Sequence, residues 1–211
     1  MKPILFSGEM VRAILDGRKT QTRRVIKPQP DFVANYYETG KKRAAWSGGS
    51  SDPKLLKCPY GQPGDLLWVR ETHFRFGHWS PIPGVKTKAG RMKWQFIEDT
   101  PEVRYLDNSP AEFRRGRHHK DPHTPAWHKR PSIFMPRWAS RIALRVVDVR
   151  VEMLWDMTVS KMTAEGVAEI ENNDKHPLTP FIALWDSINA DRGHAWYTNP
   201  WVWVVEFEEV S

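Results

Sequence analysis

The sequence holds a single cysteine, Cys58, among 211 residues. One thiol forms no disulfide within the chain and builds no cysteine-based zinc cluster. Cys58 precedes Pro59-Tyr60-Gly61 and reads as a structural or incidental thiol. Long apolar runs are missing as well. None approaches the ~20 residues that a membrane-spanning helix needs. The opening MKPILFSGEM has no apolar core or cleavage-site pattern of a secretory signal. These absences predict a cytoplasmic protein without a membrane partner. Charge of one sign is scarce in each part of the chain. Residues 1–150 hold 14 acids against 29 bases, and residues 151–211 hold three bases against 11 acids. The formal net charge of +7 therefore conceals +15 followed by −8. A basic surface attracts phosphate backbones. The composition alone is equally served by plain solubility.

What is present is an ordinary globular balance, 40% hydrophobic and 27% charged, which excludes a disordered chain. The length predicts one domain over 1–211, enlarged by an insertion at about 73–131. The chain is rich in tryptophan (11) and proline (17). Residues 3–6 read as a buried strand. Met10, Val11, Ile14 and Leu15 then mark one face of a helix that Gly17 closes. Residues 27–64, with a Gly/Ser cluster at 47–51, read as loop. Residues 66–72 and 201–207 read as strands. In 140–151 the alternating Ile142, Leu144 and Val146 give way to Val147, Val149 and Val151. That change of face predicts a bulge or barrel corner. Helices are expected over about 159–170, capped by Thr158 or Ser160, and over 178–190, with Phe181, Ile182, Leu184, Trp185 and Ile188 as the apolar stripe. Seven prolines make 73–131 the least regular part, with one hairpin near 91–97 and 102–106.

The segment Gly17-Arg18-Lys19-Thr20-Gln21-Thr22-Arg23-Arg24 carries the most chemistry. Hydroxyls set among guanidinium and ammonium groups suit a phosphate or carboxylate ligand. They also suit an activated nucleophile, because neighbouring cations and burial push a lysine toward its neutral, basic form. A solvated basic loop remains the alternative. In an ideal extended strand Lys19 and Thr22 face opposite sides, so joint action requires a turn or bulge.

Gly17-x-Lys19-x-x-Thr22-x-Arg24 resembles the GxKxxTxR signature of the ASCH domain family, within the PUA-like superfamily. Four further segments resemble that family in order. They are Pro63 to Glu71, Met135 to Arg141 with the strand after it, Thr158 to Gly166 ending Ala164-Glu165-Gly166, and Asn199 to Val204. The last looks like the closing strand of longer, often phage- or prophage-encoded members. The resemblance implies an α+β fold: a PUA-like mixed β-barrel with flanking helices and a long irregular insertion. It implies a nucleoside or nucleic-acid partner, with RNA favoured over DNA, and no cofactor or metal. Small members remove the acetyl group from N4-acetylcytidine, and their catalytic Lys, Thr and Glu match Lys19, Thr22 and Glu165. By that likeness Thr22 attacks the amide carbonyl and Lys19 accepts its proton. Glu165 shuttles a proton to the leaving amine or holds the lysine. Substrate-binding roles fall to Arg18, Arg23 and Arg24, and to Trp68, Arg70, Glu71 and His73 on and after the second matching segment. A non-catalytic RNA- or DNA-binding module and a ribonuclease are the alternatives.

Two residue groups stand apart. His118, His119, His123 and His128 cluster among arginines and lysines, which suits a basic flap better than a dication. Trp46, Trp79, Trp94 and Trp127 lie in irregular, basic stretches, where they either stack on bases or anchor loops. Trp68, Trp155, Trp185, Trp201 and Trp203 lie in regular elements, and core or partly buried packing is expected for most of them.

Overall fold

A computed structural model describes residues 1–30, 33–38, 41–46, 54–55, 57–117, 120–168 and 176–210. The strands are β1 (Lys2–Leu5), β2 (Gln21–Val25), β3 (Val33–Glu38), β4 (Lys41–Trp46), β5 (Lys54–Leu55) and β6 (Leu66–Arg70). They continue as β7 (His73–Lys86), β8 (Met92–Tyr105), β9 (Arg114–Arg115), β10 (Ala126–Arg130), β11 (Ala143–Met153) and β12 (Trp201–Val210). The α-helices are α1 (Gly8–Leu15), α2 (Val159–Ala164) and α3 (Thr179–Asn189). The fold is α+β. The chain forms two compact units, one of Met1–Ile4, Glu9–Trp68 and Ile142–Ser211, the other of Leu5–Gly8 and Val69–Arg141.

The first unit is built on a five-stranded sheet in the order β1-β6-β11-β12-β2. β11 and β12 run antiparallel from Ala143 opposite Val210 to Met153 opposite Trp201. The ladder slips between Val146 and Asp148, and Val147 is pushed out to 51% exposure. This is the bulge that the change of apolar face predicts. The sheet ends at β1 and β2, and no barrel closes among the described residues. The outer strands are linked in sequence through α1 instead of by a ladder. A separate three-stranded sheet, β3-β4-β5, occupies part of the stretch expected to be loop. The Gly/Ser cluster falls outside the described residues, as does the side chain of Trp46.

One core lies where α2 and α3 cover β12. It holds Leu154, Met157, Met162, Leu178, Phe181, Trp185, Val202 and Val204. Burying such a side chain stabilises by about 1.5–3 kcal/mol. The helix expected at 178–190 is α3. α2 begins where expected, with the Thr158 hydroxyl accepting from the Lys161 N–H. It stops at Ala164, short of 170, because Gly166 turns the chain with φ +80°. α1 buries Val11, Ala13 and Ile14, whereas Leu15 is 42% exposed. The apolar stripe is thus rotated toward Ala13, whose small side chain admits a close neighbour.

The second unit corrects the expectation of an irregular insertion. It contains a four-stranded sheet, β8-β7-β10-β9. β7 and β8 form a hairpin of two 14-residue strands, and both arms of the hairpin expected near 91–97 and 102–106 fall on β8 alone, whose partner is β7. The prolines mislead because they sit where a strand tolerates them. Pro101 lies on the edge strand β8. Pro81 borders a register slip, in a stretch of β7 beyond the His73–Gly77 segment paired with β10. Gly77 is needed for the pairing, since a Cβ there would stand 2.1 Å from the Ile97 carbonyl oxygen.

Candidate functional site

The signature segment is fastened at its start to the end of α2. The Lys19 N–H donates to the Ala13 carbonyl at 2.9 Å, and the Thr20 N–H to the Ala164 carbonyl at 2.9 Å. Lys19 and Glu165 thereby form an isolated antiparallel bridge. Gly166 makes this contact possible. A Cβ at 166 would lie 2.8 Å from Ala13 Cβ and 2.9 Å from Lys19 Cβ, at a backbone angle that other residues rarely adopt. The Ala-Glu-Gly end of α2 is therefore a seat for Lys19.

From that seat the Lys19 ammonium donates to Glu165 Oε2 at 2.8 Å and to the Glu165 carbonyl at 2.7 Å. Both side chains are buried. Burial pulls the Lys19 pKa below its ordinary value, Glu165 pulls it back up, and Arg24 and Arg23 push it down again. Arg23 completes the pair. Its Nη1 donates to Glu165 Oε1 at 3.0 Å and its Nη2 to Glu152 Oε2 at 3.0 Å. Glu152 also receives Arg150 Nε at 2.7 Å and Lys161 Nζ at 3.1 Å. The Gln21 amide donates to the Lys161 carbonyl at 2.7 Å. Buried ions are tolerable when their remaining hydrogen-bonding positions are filled, and this network fills most of them.

Position parity divides the strand. Arg23 stands opposite Val204, and Thr22 and Arg24 stand opposite Val205 and Trp203. Neighbouring side chains on β2 therefore leave from opposite faces. β2 is the last strand of its sheet, so a cavity at its edge can reach both faces without a bulge. That cavity has a volume of about 240 Å³. Thr22, Arg23, Arg24, Val25, Lys27 and Glu165 line one side, with Met10 and Tyr60. Phe181, Leu184, Trp185, Ile188, Asn189 and Arg192 line the other, from α3 and the turn after it. The Arg24 guanidinium lies 5.9 Å from the centre of the Tyr60 ring. Burial lowers its pKa, against the pull of Tyr60 and Glu165.

Of the residues expected to act, Glu165 grips Lys19 and shares the cavity with Thr22, Arg23 and Arg24. Lys19 lies behind Glu165 and is not part of the lining. Arg18 is exposed and pairs with Asp16 at 2.8 Å. Trp68 is buried in the sheet on β6, opposite Ala143. Arg70, Glu71 and His73 belong to the second unit. There Arg70 donates to the Ile133 carbonyl. Glu71 is buried and held by Arg141 Nε at 3.0 Å and Nη2 at 3.2 Å. His73 is buried, with Nδ1 3.2 Å from the Glu71 carbonyl. Burial lowers its pKa to about 4, with Arg75, Arg130 and Arg70 adding to the effect.

The sequence reading missed Tyr60, Lys27, Asn189 and Arg192 as cavity residues. Arg192 had a signal, as one of only three bases in the acidic last 61 residues. The faces of the insertion tryptophans meet arginines. Arg130 lies 5.2 Å from the Trp79 ring, Arg117 4.3 Å from Trp94 and Arg104 4.6 Å from Trp127. Trp155 departs from the core expectation at 56% exposure, its Nε1 donating to the Trp196 carbonyl at 2.9 Å. His118 and His119 lie outside the described residues. Among the described residues no group of three or more His, Cys, Asp or Glu is arranged to hold a metal ion. No helix of the described chain is long and apolar enough to cross a membrane. No family model, curated protein or solved structure matches the chain.

Proposed function

We propose that the chain is an ASCH-type, PUA-like protein that hydrolyses the acyl amide of an N4-acylated cytidine, free or within RNA, in the cytoplasm. The observation that carries the reading is the convergence at β2: Glu165 holds Lys19 and lines one cavity with Thr22. In this reading the five-stranded sheet with α1 and α2 corresponds to the PUA-like core, and the Val69–Arg141 unit to its insertion.

The chemistry follows the roles that the resemblance assigns. Thr22 Oγ adds to the amide carbonyl, and its proton passes to Lys19, whose neutral form burial favours. Arg24 faces the oxyanion. The cytidine N4 leaves with a proton returned through the Lys19–Glu165 pair. Water then cleaves the acyl-threonine ester, releasing the carboxylic acid and restoring Thr22. Tyr60 and Trp185 offer aromatic surface to the base. Arg23, with both Nη atoms engaged by carboxylates, is a positioning residue that fixes Glu165.

The test is release of acetate and cytidine from N4-acetylcytidine by purified protein. Thr22→Val and Lys19→Ala are expected to lower the rate at least ~100-fold. Circular dichroism of Thr22→Val reports an intact fold. Absence of release by the unaltered protein, or retention by both variants, refutes the assignment.

A non-catalytic binding module has one observation in its favour. Both Glu165 carboxylate oxygens already face cations, an arrangement that also serves as pure architecture. That reading predicts oligonucleotide binding that survives Thr22→Val, with no acetate released.

A further inference from the structure

The second unit holds a buried cation with donors to spare. The Arg75 side chain is 1% exposed. Its Nη2 meets Glu98, while Nε and Nη1 have no hydrogen-bond partner. Buried guanidinium donors are ordinarily satisfied, so two open ones ask for an acceptor. One face of Arg75 lies on the Trp138 ring, 4.3 Å from its centre. Arg130 stands in the same field. It lies 4.8 Å from the Phe96 ring centre and 5.2 Å from that of Phe134. Its backbone pairs with His73 in the ladder, and among the described residues no hydrogen bond or ion pair engages its guanidinium group. Burial lowers the Arg130 pKa, opposed by Glu98 and reinforced by Arg75. His73, whose pKa is lowered to about 4, adds no further positive charge near neutral pH. Of the two guanidinium groups, only that of Arg75 is paired with Glu98.

The surroundings narrow the ligand. Trp138 and Phe134 are 56% and 57% exposed, although each already meets an arginine. Two flat guanidinium forks suit the oxygens of a phosphate. An exposed indole beside them suits a base, and phosphate contact with base stacking is how single strands are held. Residues 69–141 carry 15 bases against seven acids, which draws a polyanion.

We propose that this unit carries a second binding site, for single-stranded nucleic acid, in which Arg75 and Arg130 hold a phosphate and Trp138 stacks a base. The choice of ligand rests on the nucleic-acid reading given above. It gives this unit a strand as its ligand, not a free nucleoside.

The experiment titrates a five-nucleotide oligouridylate into the full chain and follows tryptophan fluorescence. Unmodified uridylate has no acyl group, so hydrolysis plays no part. Binding is expected, weakened about tenfold by Trp138→Ala and by Arg130→Gln. Inorganic phosphate is expected to compete only at far higher concentration. Trp138 is exposed, so its replacement spares the fold, as circular dichroism will report. Unchanged affinity in both variants overturns the proposal. Displacement by inorganic phosphate at the oligonucleotide's own concentration also overturns it, since the site would then serve a free anion. Acetate release from N4-acetylcytidine by the unaltered protein separates the two readings. Release without strand binding sinks this one, and strand binding without release sinks hydrolysis.

Discussion

Glu165 accepts from Lys19 and Arg23, one on each carboxylate oxygen. Removing its charge leaves the buried Lys19 ammonium without a carboxylate and takes one of the two that hold Arg23. Glu165→Gln is therefore expected to destabilise the fold by roughly 3–5 kcal/mol, measured by urea unfolding. A loss below about 1 kcal/mol would mean that water reaches the pair freely. His73 gives a prediction in pH. Its pKa is about 4 in the folded chain, against an ordinary 6.5. Between those values the unfolded chain binds the extra proton, so stability falls as pH drops from 6.5 toward 4. Comparison with His73→Gln isolates this contribution from other titrating groups. The melting temperature of the unaltered protein should fall more steeply than the variant's across that window. Parallel curves contradict the burial of a neutral histidine. At this scale the sequence was only partly readable. Lys19 and Thr22 stood out as chemistry inside a basic run. No local pattern joins Lys19 to a carboxylate 146 positions away, and only the ASCH resemblance singled out Glu165. Tyr60, Asn189 and Lys27 enter the cavity from elements whose meeting no short-range signal encodes.

Among elements, the six-residue α2 matters through its end. Its cap, Thr158, and its stop, Gly166, set where the Glu165 carbonyl and carboxylate point. Gly166→Ala adds a Cβ against Ala13 and Lys19 at a left-handed backbone angle. The expected loss is about 2–4 kcal/mol by chemical denaturation. The same change should lower acetate release, since Lys19 must shift to make room. Full stability would show that the seat is looser than these distances imply. Elements governed by local rules were legible: β1, α1, β6, the bulge at Val147, the start of α2, α3 and β12. The hairpin β7–β8 was not. Its prolines read as breaks, and only the pairing partners reveal that Pro101 sits on an edge and Pro81 beside a slip. The apolar stripe of α1 was off by about half a face. Periodicity favoured the large Leu15, while close packing of Gly166 selected Ala13.

Across the whole molecule, the charge divides less sharply by unit than by position in sequence. The acidic last residues fold onto bases from earlier in the chain. Glu165 meets Lys19 and Arg23, Glu206 meets Arg150, and Glu208 meets Arg145. The unit containing Val69–Arg141 carries +8, which leaves −1 for the other. Oligonucleotide binding should therefore weaken with salt, by at least about tenfold between 50 and 200 mM. Fluorescence titration at each ionic strength measures the slope. A flat response would show that these excess charges do not meet phosphates. A last consequence concerns the outer flank of β2, which ends its sheet among the described residues. A strand that ends a sheet offers its backbone groups to any extended chain, including another copy of the same protein. Here α3 and the turn after it stand across the cavity from Thr22, Arg23 and Arg24. Covering an edge with a helix keeps partner strands away, so the far wall of the cavity also guards the sheet against aggregation.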